Sequence, residues 1–220
     1  KKIVKITEIV LETPSGLVSA YVDVENGSVK DVSFRNVPSF VLYHDLKIPF
    51  PGIGDVSVDI AYGGNFFGLV SAKELSVEIR KENVDKLISY GMRLRKIINE
   101  KIDIFHPDNK NFNKIELIEI YETKDSDKLS NRNCVVFGHN QVDRSPCGSG
   151  TSSMLALKYF NKDIKINELF VNESIIGTKF TGCVVKEAKV GDLDAVITEV
   201  RGKAYITGNH HFIIDSNDPL

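Results

Sequence analysis

Hydrophobic and polar residues alternate along most of this chain. "GLVSAYVDVENGSVKDVSFRNV" (16–37) alternates on both sides of Asn26-Gly27, a dipeptide suited to the positive φ of a two-residue hairpin turn. The opening "KKIVKITEIVLE" (1–12) mixes charged with apolar positions and reads as a strand, not as a signal peptide. "FPGIGDVSVDIAYGG" (50–64) and "NFFGLVSA" (65–72) continue as short strands broken by glycine. Strands resume at "KIELIEIY" (114–121) and "NCVVFG" (133–138), then at 168–174, 178–187, 194–200 and 203–214. The period changes twice. From residue 82 to about 100, Val84, Leu87, Ile88, Gly91, Leu94, Ile97 and Ile98 share one helical face. A second helix is predicted from about Cys147 to Phe160, with Met154, Leu155, Leu157 and Phe160 turned to the core. The pattern predicts an α+β fold: a mostly antiparallel sheet with few helices, one of them central and enclosed.

Composition narrows the function classes. The 220 residues are 42% hydrophobic and 26% charged, as in globular proteins. A net charge of −2 offers no footprint for nucleic acid or anionic lipid. No apolar run reaches the roughly 20 residues that span a bilayer. A soluble, cytoplasmic protein is expected. The three cysteines, Cys134, Cys147 and Cys183, match neither a CxxC pair nor a zinc ribbon, so no disulfide framework is expected. Cys134 in "NCVVF" and Cys183 in "FTGCVVKE" read as small core residues of strands. His210-His211 would point to opposite faces of a strand, which is no metal-binding arrangement.

Cys147 has different surroundings. It stands in "DRSPCGSGTSS" (143–153), where Pro146 suits a helix entrance and Gly148 and Gly150 let a ligand approach the backbone. First-turn amides have no intrahelical partner, and the positive end of the helix dipole favours thiolate over thiol. A carboxylate could dock on the amides of Gly148 and Ser149, while Asp143 faces the opposite charge of the same ligand. An amino acid has this zwitterionic form. The competing reading is plain helix capping, with Asp143 and Arg144 in a solvated turn. A phosphate loop fits poorly, because no lysine follows the glycines.

"VDRSPCGSGTS" closely resembles the second catalytic-cysteine motif of the proline racemase and hydroxyproline epimerase family. "TPSGLV" (13–18), "SFRNVPSF" (33–40), "PGIGDVSVDIAYGGNFF" (51–67), "NCVVFGHNQVDRSPCG" (133–148), "NESIIGTKFTG" (172–182) and "AYITGNHHF" (204–212) resemble family blocks in family order. The resemblance implies a diaminopimelate-epimerase-like lobe, its sheet wrapped around a central helix that starts at the catalytic cysteine. It also implies a homodimeric, cofactor-free and metal-free enzyme whose two lobes each supply one thiol to opposite sides of the substrate Cα. Carried over by motif, Cys147 is one acid/base thiol, Gly148 and Ser149 bind the carboxylate, and Asp143 meets the ring nitrogen. Phe137 and Leu117 match pocket positions where hydroxyproline epimerases tend to carry smaller or polar residues, so both favour proline. A dehydratase subgroup has Thr in place of the second cysteine, and Cys147 argues against it.

Two departures stand out. Ser149 replaces a more common Thr, which matters little if the backbone amide makes the contact. The family's first motif, of the form MCGHG, should precede "TPSGLV" by a few tens of residues and is not among the 220. The expectation is therefore an incomplete chain. Residues 1–20 form a strand of the mostly absent first lobe, 21–207 form the second lobe, and 208–220 return to the first. Such a chain would be nearly inactive alone. The alternatives are a 4-hydroxyproline 2-epimerase, an inactive fragment that only folds or binds, and, more remotely, a diaminopimelate epimerase.

Overall fold

A computed structural model describes residues 4–124 and 127–219. Its strands are β1 (Val4–Thr13), β2 (Gly16–Glu25), β3 (Ser28–Arg35), β4 (Ser39–Phe50), β5 (Gly54–Tyr62), β6 (Phe66–Ser71), β7 (Leu117–Lys124), β8 (Asp127–Phe137), β9 (Gln141–Val142), β10 (Phe170–Ser174), β11 (Lys179–Val190) and β12 (Leu193–Gly202). The helices are α1 (Val84–Lys101), entered through a single 3-10 turn, and α2 (Gly148–Phe160). The strands run in the order β1-β2-β3-β12-β11-β10-β8-β7-β6-β5-β4, and β4 pairs again with β12. Eight strands, β4 to β8 and β10 to β12, thereby close into a barrel. β1, β2 and β3 extend from β12 as a flange.

Pairing is antiparallel except for β6 with β7 and β8 with β10. Parallel neighbours need a crossover, and each pair encloses one helix in sequence. α1 connects β6 to β7 and packs on the outer face of β7 and β8, whereas α2 connects β8 to β10 through the barrel interior. The alternation in β7 follows this division. Ile118 and Ile120 join the outer core with Leu87, Leu94 and Ile98 of α1, while Leu117 and Tyr121 pack inward against the α2 cluster.

α2 is buried continuously from Gly150 to Lys158, the enclosed helix expected from the sequence, and its buried surface is wider than the stripe of Met154, Leu155 and Leu157. Its composition suits that place. Gly150, Thr151, Ser152 and Ser153 are small and hydrogen-bonded or closely packed, and Met154 to Leu157 are almost wholly apolar. Phe160, expected in the core, is 54% exposed. The helix ends there, and the ring leaves the barrel to lie 5.2 Å from His44, centroid to centroid.

The Asn26-Gly27 turn joins β2 to β3 with φ values of 53° and 77°. β4 has no counterpart among the predicted strands, because two irregularities in its register and a positive φ at Asp45 break the alternation. Residues 203–214, predicted as a strand, carry no regular structure and are exposed: they have no strand to pair with among the described residues. Cys134 is a core residue at 1% exposure, but Cys183 is half-buried beside Glu199 and Arg35.

Candidate active site

The segment from Asp143 to Cys147 is folded by its own polar side chains. The Asp143 amide donates to the Val135 carbonyl at 3.0 Å, tying the segment to β8. Asp143 Oδ1 accepts from the Ser145 amide at 2.7 Å, and Ser145 Oγ accepts from the Cys147 amide at 3.0 Å. Thr178 Oγ1 donates to the Arg144 carbonyl at 3.0 Å. The chain then enters α2 with Cys147 as the N-cap, at φ 64° and ψ 119°. Positive φ is strained for a side chain with a Cβ and persists only where the surroundings over-determine it. Here Thr151 supplies two bonds to the Cys147 carbonyl, from its amide at 2.9 Å and its hydroxyl at 2.7 Å.

The Cys147 sulfur lies 3.6 Å from Ser149 Oγ, in a residue only 8% exposed. Burial pushes the thiol up to about 12. The Gly150 amide and Ser149 hydroxyl act in the opposite direction, and the Asp143 and Glu119 carboxylates raise it further. The sequence-based expectation of a depressed thiol is thus corrected: desolvation outweighs the helix terminus. Gly148 and Ser149 are half-buried. Asp143 is half-buried as well and acts electrostatically on both Cys147 and Glu119.

Three segments distant in sequence frame this helix start. Ser15 Oγ, in the β1–β2 turn, donates to the Gly64 carbonyl at 2.7 Å. Asn36, after β3, donates to the Gly63 carbonyl at 2.7 Å and accepts from the Val37 amide at 2.9 Å. Gly63, between β5 and β6, abuts Ser149 and Ser153, and Gly148 abuts the Phe34 ring, where a Cβ would fall 2.8 Å from Cζ. The blocks containing Ser15, Asn36 and Gly63 therefore meet at the first turns of α2, although no local motif assigned those residues a role. Leu117 shares the interior cluster with Cys147 and lies in register with Phe67. Phe137 is half-buried at the end of β8, outside that cluster.

Sequence reasoning also missed Glu119. It lies on the inward face of β7, is 0% exposed, and accepts at Oε1 from Asn133 at 2.8 Å and Asn172 at 3.4 Å. Burial raises it to about 7 against these two hydrogen bonds, with Asp143 adding to the rise. The available signal was a lone acid at an interior position of an alternating strand. A concavity of about 1110 Å³ opens at the other end of α2 beside Ala156, Tyr159, Phe160 and Ile164, and holds none of the predicted site residues.

A thiol at a helix N-terminus, two adjoining amides and a nearby carboxylate can hold a zwitterion and exchange a proton with it. The chain is 47% identical over 216 residues to the proline racemase of Acetoanaerobium sticklandii, matching 98% of this chain and 64% of that protein. It thus spans somewhat less than two thirds of the length of this curated relative. Among solved structures, it superposes with a TM-score of 0.90 on a probable proline racemase from Agrobacterium radiobacter with bound carbonate, at 30% identity, covering 97% of this chain and 62% of the other. A hydroxyproline epimerase from Agrobacterium vitis with bound trans-4-hydroxy-L-proline gives the same score at 33% identity, covering 97% and 61%. The family model described as proline racemase matches residues 2–220, and the chain belongs to that family.

Proposed function

We propose that this chain carries one of the two acid/base thiols of a cofactor-independent amino-acid racemase that interconverts L- and D-proline. The observation that carries the reading is Cys147 at the entrance of an enclosed helix, with the Gly148 and Ser149 amides and Asp143 beside it. The substrate carboxylate docks on the two amides and gains enediolate character there as the Cα proton leaves. Asp143 pairs with the ring ammonium. In one direction a thiolate on the opposite side of the substrate removes the Cα proton, and the Cys147 thiol delivers its own proton to the far face. In the other direction the two sulfurs exchange roles. The high proton affinity of unliganded Cys147 supports its part as the protonated partner.

Cys134 and Cys183 lie in strands, without a helix-entrance glycine, so the second thiol is assigned to residues outside these 220. On this reading the polypeptide alone is nearly inactive. Residues 1–20 and 208–220 belong with a first lobe, and 21–207 form the second. Exposed Ile9, Val10, Leu11 and Leu17 on the flange, with exposed Phe212, Ile213 and Ile214 near the end, support that division. Leu117 and Phe137 offer no polar partner to a ring hydroxyl, which favours proline. The likeness to the trans-4-hydroxy-L-proline-bound epimerase supports 4-hydroxyproline as the second reading.

The test joins the chain to a first-lobe segment carrying the MCGHG motif and follows the optical rotation of L-proline. Rotation should decay, and Cys147→Ala should abolish the decay. A protein that epimerises 4-hydroxyproline and leaves proline unchanged refutes the substrate assignment. Full activity in Cys147→Ala refutes the mechanism.

A further inference from the structure

We propose that Glu119 is a positioning residue for Cys147, its carboxyl orienting two asparagine amides that hold the backbone on both sides of the thiol. This role for a residue buried beneath the site rests on the racemase reading given above. Asn133 Nδ2 donates one hydrogen to Glu119 Oε1 and the other to the Pro146 carbonyl, each at 2.8 Å. Asn172 Nδ2 donates to Glu119 Oε1 at 3.4 Å and to Thr151 Oγ1 at 3.1 Å, and Thr151 Oγ1 passes its own hydrogen to the Cys147 carbonyl at 2.7 Å. One carboxyl oxygen thus anchors two arms. The first ends on the carbonyl preceding Cys147 and the second on the carbonyl of Cys147 itself.

Both arms act where the backbone is strained. The φ of 64° at Cys147 is retained only if its neighbours fix it, and these carbonyl contacts do so from the buried side. Gly150 makes the arrangement possible, since a Cβ there would fall 2.5 Å from Glu119 Oε2. Removing the carboxyl leaves the two amide groups without their shared acceptor and free to turn away from Pro146 and Thr151. A shift of about 1 Å at the thiol is enough to lower proton transfer on the order of a hundredfold.

The charge state matters as well. Glu119 adjoins the first turn of α2, so its ionised form would oppose a substrate carboxylate or a thiolate at the same helix end. Burial keeps it protonated up to about pH 7. The titratable groups coupled to it are Asp143 in the preceding loop, Cys147 at the helix entrance, Tyr121 on its own strand and Cys134 on β8. Above neutrality, ionised Glu119 holds the proton on Cys147 more tightly and weakens carboxylate docking.

The experiment compares Glu119→Gln with Glu119→Leu by two readouts. Alkylation of Cys147 against pH, followed by peptide mapping, uses this chain and needs no turnover. Racemisation of proline, in the protein completed with a first lobe, gives kcat and KM. Glu119→Gln keeps the acceptor and the shape of the neutral acid. It should retain kcat within about threefold and lose the inflection near pH 7 in the alkylation profile. Glu119→Leu, folded by circular dichroism, should lose about a hundredfold in kcat with KM changed less than about threefold. If the leucine variant does not fold, the glutamine inflection decides alone. A folded leucine variant with wild-type kcat and alkylation, or a glutamine variant that keeps the wild-type inflection, overturns the proposal. Failure of every form, wild type included, to racemise proline refutes the racemase reading and leaves the alkylation profiles to decide the role of Glu119.

Discussion

Gly63 lies directly against Ser149: a Cβ on the glycine would collide with the Ser149 carbonyl oxygen and fall 2.6 Å from Ser153 Oγ and 2.7 Å from the Ser153 amide. The β5–β6 turn and the first turn of α2 are therefore in backbone contact, with no side chain between them. Gly63→Ala should force the two apart. Overpacking of this kind costs about 1–3 kcal/mol, and it acts beside the Ser149 amide proposed above to receive the substrate carboxylate. Urea denaturation should show the loss, and proline binding should weaken more than stability alone explains. Unchanged stability together with unchanged binding would contradict the contact.

Glu119 couples folding to pH. An ordinary glutamate titrates near 4.5 and Glu119 near 7, so the folded chain keeps this proton longer than the unfolded one. Its contribution is fully present below the unfolded value and is lost as pH rises through the folded value. The gap corresponds to about 3 kcal/mol. Between about pH 5 and about pH 8, wild-type stability should fall by about 2–3 kcal/mol relative to Glu119→Gln. Parallel denaturation curves that keep a constant difference across that range would show that the folded carboxyl is not protonated near neutrality.

Thiol labelling should rank the three cysteines. Burial raises Cys147 and Cys134 to about 12 and raises half-buried Cys183 as well. At about pH 8 a thiol near 12 holds on the order of a thousandfold less thiolate than a free cysteine. Iodoacetamide should reach Cys183 first, then Cys147 at 8% exposure, and last Cys134 at 1%. Peptide mapping over time reads the order directly. Cys147 labelled first would mean that the helix terminus outweighs desolvation after all.

Leu117→His should shift substrate preference. The new imidazole would face the barrel interior in register with Phe67 and could satisfy a ring hydroxyl. In the protein completed with a first lobe, the kcat/KM ratio of 4-hydroxyproline to proline should rise at least about tenfold. A ratio that does not move would place Leu117 outside the substrate pocket.

Much of the scaffold was legible because its elements obey local rules. The Asn26-Gly27 turn needs two residues at positive φ and has them, and α2 begins where proline, cysteine and glycine announce a helix. β4 was not legible, because bulges around Tyr43 and Asp45 erase the period of two on which strand reading depends. Phe160 misled because periodicity cannot tell the last turn of an enclosed helix from its middle. The candidate site divides in the same way. Cys147, Asp143, Gly148 and Ser149 lie within seven positions and were found together. Ser15 and Asn36 reach the helix start from the flange, and Glu119 and Asn172 from barrel strands, so no local pattern could have assembled the set. The thiol's protonation was misjudged for a related reason: the helix terminus is visible in sequence, whereas the depth of burial that outweighs it depends on strands far away.

The barrel seam has a consequence for how the molecule forms. β4 meets β12 through only two residue pairs, Phe40 with Ala195 and Ser39 with Val196. β4 must therefore wait for β12, far along the sequence, before the circle of hydrogen bonds is complete. During synthesis α2 emerges before β10, β11 and β12, so its serine- and threonine-rich first turns meet water before they meet their final partners. Closure of so distant a pair is slow. β12 both shuts the barrel and brings Thr198 Oγ1 to Ser152 Oγ at 2.9 Å, so the thiol's surroundings are complete only once residues 193–202 have paired.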